Sequence, residues 1–112
     1  MNSNLSNILR DLRENHQLAL REVAANVEMD STLLSRIERG DRLPTISQTK
    51  ALAKFYGADV RELEAARIAE KFIREYGQNP ALEDALELIH ETATVYKTNK
   101  SRNNLMSPGT KA

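Results

Sequence analysis

The segment Leu18–Gly40, LALREVAANVEMDSTLLSRIERG, constrains this chain more than any other. Its apolar residues fall into two short helical registers, Leu20, Val23, Ala24 and Val27, then Leu34 and Ile37. Between them lie Glu28-Met29-Asp30, too few residues for anything but a tight turn. Asp30 has the side chain that an opening helix needs, a short carboxylate able to accept from orphan amides. Gly40 closes the second helix, because glycine takes the left-handed conformation cheaply.

The same reasoning extends in both directions. Leu5, Ile8, Leu9 and Leu12 predict a first helix over residues 4–15. Pro44 and Thr45 open a fourth, with Thr45 and Gln48 spaced as a capping box; Leu52, Ala53 and Tyr56 face inward and Gly57 stops it. Asp59 and Glu62 repeat the capping signature and begin a fifth helix, whose Leu63, Ala66, Ala69, Phe72, Ile73 and Tyr76 run on to Gly77. Asn79-Pro80 starts a sixth, with proline at the first helical position and a stripe of Leu82, Ala85, Leu86, Ile89 and Ala93. Residues 97–112 have no periodicity and are expected to be disordered. No segment alternates as a strand does, so the fold class is all-α.

With 112 residues, the chain has room for one small domain and an appendage. It has no cysteine, so disulfides and thiolate metal sites are excluded. No apolar run approaches the roughly 20 residues that span a bilayer, and no signal peptide is evident. The expectation is a soluble cytoplasmic protein without cofactor or membrane partner. His16 and His90 lie far apart and lack the spacing of metal ligands, and no glycine-rich phosphate loop exists, so an enzyme is not expected.

The net charge is zero, but it is unevenly spread. Residues 60–96 hold four basic residues (Arg61, Arg67, Lys71, Arg74) against eight acidic ones, and residues 97–112 hold four basic and no acidic. Between Ser31 and Lys50, Arg36, Arg39, Arg42 and Lys50 face only Glu38 and Asp41. A neutral total therefore conceals a locally positive stretch, which is what a phosphate senses.

Leu9, Leu12-Arg13, Val23-Ala24, Ile37-Glu38-Arg39-Gly40, Pro44, Leu52-Ala53, Gly57 and Leu63 together resemble the Cro/repressor-type (lambda-repressor-like) helix-turn-helix domain of the Xre family. The resemblance covers residues 5–63, about half of the chain, and implies a five-helix DNA-binding domain over residues 1–63. It also implies an ion pair between Arg13 and Glu38 that joins helix 1 to the end of helix 3; a bidentate guanidinium is suited to that lock. The family usually has Ser or Thr, then Gln, at the start of helix 2. Ala19 and Leu20 stand there, and Arg21 is expected to reach the DNA backbone instead.

On this reading helix 3 enters the major groove of double-stranded DNA. With Leu34 and Ile37 inward, Ser31, Thr32, Ser35 and Arg36 face the base edges, and Arg36 can pair with guanine O6 and N7. Leu33 also falls outward, either against a thymine methyl or simply exposed. Arg21, Arg39, Arg42, Thr45 and Lys50 are the expected backbone contacts. Residues 64–96 are expected to form a helical extension that makes a homodimer through Phe72, Ile73, Tyr76, Leu82, Leu86 and Ile89, or alternatively folds back on its own domain as extra core, followed by the tail at 97–112. The competing reading is a protein-interaction module, such as an antitoxin or anti-repressor, acting on a protein partner through the acidic C-terminal helices.

Overall fold

The computed structural model describes residues 4–106, with side chains as far as Thr98. Six helices follow one another: α1 (Leu5–Asn15), α2 (Leu20–Asn26), α3 (Ser31–Glu38), α4 (Ile46–Tyr56), α5 (Val60–Tyr76) and α6 (Leu82–Met106). Among the described residues there is no strand. Two compact units divide the chain, the first reaching Glu75 and the second beginning at Tyr76.

The starts of the helices follow local chemistry. The Asn4 carboxamide accepts from the Asn7 amide at 3.0 Å. Asp30 accepts from the Thr32 amide at 3.1 Å. Thr45 and Gln48 form a complete capping box, Oγ1 accepting from the Gln48 amide at 3.0 Å and Oε1 from the Thr45 amide at 2.9 Å. At α2, Ala19 has no side chain to offer, so only half a box exists: the Glu22 carboxylate accepts from the Ala19 amide at 2.8 Å. At α5, Asp59 accepts from the Arg61 amide at 2.9 Å.

The first four helices end in one geometry. A left-handed residue lets the next amide bond back across the last turn. At α3 this residue is Gly40 (φ 82°), with the Asp41 amide donating to the Arg36 carbonyl at 2.9 Å. At α4 it is Gly57 (φ 69°), with Ala58 donating to Ala53 at 2.8 Å. At α1 and α2 the position is filled by Gln17 (φ 57°) and Glu28 (φ 55°), with Leu18 donating to Arg13 at 3.2 Å and Met29 to Ala24 at 2.8 Å. A side chain at such an angle costs roughly 1–2 kcal/mol, which the packing around these turns offsets.

The core of the first unit comprises Leu5, Leu9, Val23, Ala24, Leu34, Ile37, Leu52, Ala53, Tyr56 and Leu63, all buried. The buried Thr49 hydroxyl is satisfied by the Thr45 carbonyl at 2.8 Å. This unit does not stop at the expected boundary after residue 63, because α5 is continuous through it. Beyond Leu63, the Arg67 Nε donates to the Pro44 carbonyl at 2.7 Å, Glu70 accepts from the Leu5 amide at 3.2 Å, and Arg74 donates to the Gly40 carbonyl at 2.7 Å. Residues 64–75 thus belong with the helix-turn-helix rather than to an appendage.

The second unit is built on α6. Asn79 accepts from the Ala81 amide at 2.9 Å, and the helix begins at Leu82 after one turn through Pro80 and Ala81. It then runs 25 residues to Met106. The expectation of a disordered tail from Lys97 is corrected over residues 97–106, which are helical. Each residue added to an existing helix gains a bond without new nucleation, and nothing in residues 97–106 breaks the ladder before Pro108. The rest of that expected tail, residues 107–112, lies outside the described residues.

Candidate nucleic-acid interface

α3 is short, and its position depends on what holds its two ends. At its start the turn through Glu28 and Met29 delivers Asp30 to its capping role. At its end Glu38 is buried, only 4% exposed, and is met by Arg13 from α1. Arg13 Nε lies 2.9 Å from Oε2 and 3.1 Å from Oε1, and Nη2 lies 3.0 Å from Oε1. A third nitrogen, Nη1, donates to the Leu18 carbonyl at 2.9 Å, so one guanidinium ties α1, the loop before α2 and the end of α3 together. The hydrogen bond to Glu38 raises the Arg13 pKa, against the opposing effect of burial. The ion pair expected from the resemblance is present, and its burial makes it a fixed point rather than a loose surface contact.

Arg10, which the sequence reading did not single out, adds to this end. Its Nη2 bonds the Asn7 carboxamide at 2.9 Å and makes a longer contact, 3.4 Å, to the Glu38 carbonyl. Its spacing of three from Arg13 on α1 was the available signal. With Arg67 on Pro44 and Arg74 on Gly40, three arginines hold carbonyls from the end of α3 to the start of α4.

Opposite the buried Leu34 and Ile37, one side of α3 is turned away from the core. Thr32 and Arg36 are exposed, and Ser31 and Ser35 are half-buried. Leu33 departs from expectation: it is half-buried and packs against the core, so it is neither a free contact for a thymine methyl nor a plain exposed leucine. Ser35 is not free either. Its Oγ accepts from Arg39 Nη1 at 2.9 Å, and Arg39 Nε reaches Asp41 at 3.2 Å. These three residues line one hollow with Leu20, at the start of α2, and with Arg10, Arg13 and Glu38.

The other expected contacts are distributed unevenly. Arg21 and Arg42 are exposed. Lys50 is exposed but lies 3.7 Å from Glu64 on α5. The Thr45 amide and the acceptor side of its hydroxyl are engaged in the capping box, which leaves the hydroxyl hydrogen as its means of meeting a phosphate. The apolar residues expected at a dimer interface divide between α5 and α6. Phe72 and Leu82 are half-buried, while Ile73, Tyr76, Leu86 and Ile89 are 51%, 47%, 47% and 44% exposed. Among the described residues no cluster of His, Asp or Glu could hold a metal ion, and no described helix is long and apolar enough to cross a membrane.

A short helix mounted by a tight turn on its predecessor, with Thr32 and Arg36 exposed and its base locked by an ion pair, defines the helix-turn-helix class of DNA-binding domain. The family model described as a helix-turn-helix domain matches residues 5–66, more than half of the chain, and the chain belongs to that family. Neither the curated proteins nor the solved structures contain a match to it.

Proposed function

We propose that this chain is a sequence-specific transcriptional regulator of the Cro/repressor type, reading double-stranded DNA as a homodimer. The observation that carries the reading is the open outer face of α3, with Arg36 exposed on a helix whose end is fixed by the buried Arg13–Glu38 pair. A rigid base matters because base recognition depends on bidentate geometry, which a loosely held helix does not maintain.

In the complex, α3 lies in the major groove. Ser31, Thr32 and Ser35 meet base edges, and Arg36 pairs with a guanine. Arg21, Arg39, Arg42, Thr45 and Lys50 meet phosphates. Arg39 and Lys50 leave carboxylates to do so. The Arg39–Asp41 pair is solvent-exposed and the Lys50–Glu64 pair is long at 3.7 Å with an exposed lysine; each is worth little, roughly 0–1 kcal/mol, so exchanging Asp41 or Glu64 for a phosphate is favourable. Two copies placed about one helical turn apart read two half-sites, and the apolar residues of α5 and α6 join them.

Two substitutions separate the roles. Arg36→Ala should weaken binding to the preferred site by about 1–3 kcal/mol and relax the preference at one base pair. Arg42→Ala should weaken binding to all sequences alike and reduce the salt slope by about one. DNA titrations at several salt concentrations measure both. An Arg36→Ala chain with unchanged affinity and unchanged preference would remove the readout assigned to α3.

A further inference from the structure

We infer that α6 pairs with α6 of a second copy in the antiparallel sense. This rests on the homodimer of the proposed function and specifies how it is made.

The helix carries a seam over residues 82–96, beyond which the register continues with the polar Lys100 and Asn103. Leu82, Leu86, Ile89, Ala93 and Tyr96 recur at alternate spacings of four and three, the pattern by which two helices pack side by side. Leu86, Ile89 and Tyr96 are 47%, 44% and 60% exposed. The helix is about 37 Å long, and in proteins a helix draws most of its stability from packing such a stripe rather than from propensity.

Charge identifies the occupant and its direction. The acidic residues of α6, Glu83, Asp84, Glu87 and Glu91, all precede its midpoint, and its basic residues, Lys97, Lys100 and Arg102, all follow it. The helix dipole accounts for little of this. It favours acids in the first turn only, where Glu83 and Asp84 lie, and bases in the last turn, where there are none. A second copy running the same way would set acid against acid. One running the opposite way sets each acidic half against a basic half. In that register Glu83, which flanks the seam, lies beside Lys97 of the second copy, twice by symmetry. Ile89 then meets Ala93, a large residue against a small one.

Sedimentation of the full chain over a range of concentrations tests this, with circular dichroism to verify that each variant keeps its helices. Glu83→Lys places two like pairs at the seam, and so does Lys97→Glu. Each should raise the dimer dissociation constant about tenfold, while the double exchange should restore it to within about threefold. A parallel seam would leave Glu83→Lys without this effect. Single variants that dimerise like the parent, a double exchange weaker than either single one, or a parent that stays monomeric would each overturn the inference. DNA titration of the same proteins separates it from the wider reading. If the dimer follows the charge pattern but ignores DNA, the seam stands and the regulator fails. If the dimer binds DNA but is indifferent to these charges, the regulator stands and the antiparallel seam fails.

Discussion

Tyr56 illustrates how much one atom can decide. Its ring is buried and makes edge contact with Phe55, centroids 5.2 Å apart, and a tilted contact with His16 at 5.4 Å. Its hydroxyl is buried without a hydrogen-bond partner. Burial first, and the Glu38 carboxylate second, push its pKa up from 10.0 to about 12. The folded state therefore resists forming the phenolate. The stability Tyr56 contributes is whole below pH 10 and is lost as the pH climbs to 12. Across that window the loss reaches roughly 2–3 kcal/mol. Tyr56→Phe removes both the ionisation and the unsatisfied hydroxyl. Urea unfolding should find it no less stable than the parent at pH 7, with a shallower decline between pH 10 and 12. Parallel curves for the two proteins would mean that Tyr56 does not titrate against the fold.

At the scale of the helices, α5 matters more than its composition suggests. Arg67, Glu70 and Arg74 lie on the face that carries Leu63, spaced three and four apart, and each bonds a backbone group of the first unit. Arg67→Ala would leave the carbonyl of buried Pro44 without its charged donor, at a cost of about 1.5–3 kcal/mol. Thermal unfolding should register this as a lower Tm with helical content retained, whereas an unchanged Tm would make the contact incidental. These arginines were legible in principle, since they continue the register of Leu63, but a charge count groups them with the acidic residues around them. The starts of α3, α4 and α5 were legible because Asp30, Thr45 and Asp59 act through short, local side chains, and so were the ends of α3 and α4, where glycine marks the left-handed residue; the cap at Asn4 was not read. The ends of α1 and α2 use Gln17 and Glu28 at the same angle, and no residue type announces that. The length of α6 was missed for a related reason. Helix propagation needs only the absence of a breaker, which leaves no periodic pattern to read.

For the molecule as a whole, a net charge of zero is the sum of unlike regions. The stretch around α3 is basic, the first half of α6 is acidic and its second half basic. The candidate site was half legible. Arg36, Thr32 and the Arg13–Glu38 lock stand where the sequence reading put them, but whether Ser35, Arg39, Lys50 and Leu33 are free depends on neighbours that only the folded chain supplies. Ser35 and Arg39 hold each other, Lys50 is close to Glu64, and Leu33 belongs partly to the core. The most direct measurement is selection of bound duplexes from a random DNA pool by the full-length chain. The account predicts enrichment of an inverted repeat, its two half-sites centred about one helical turn or a multiple of it apart, with a guanine in each that Arg36→Ala no longer selects. A pool that shows no enriched sequence after repeated rounds would contradict it.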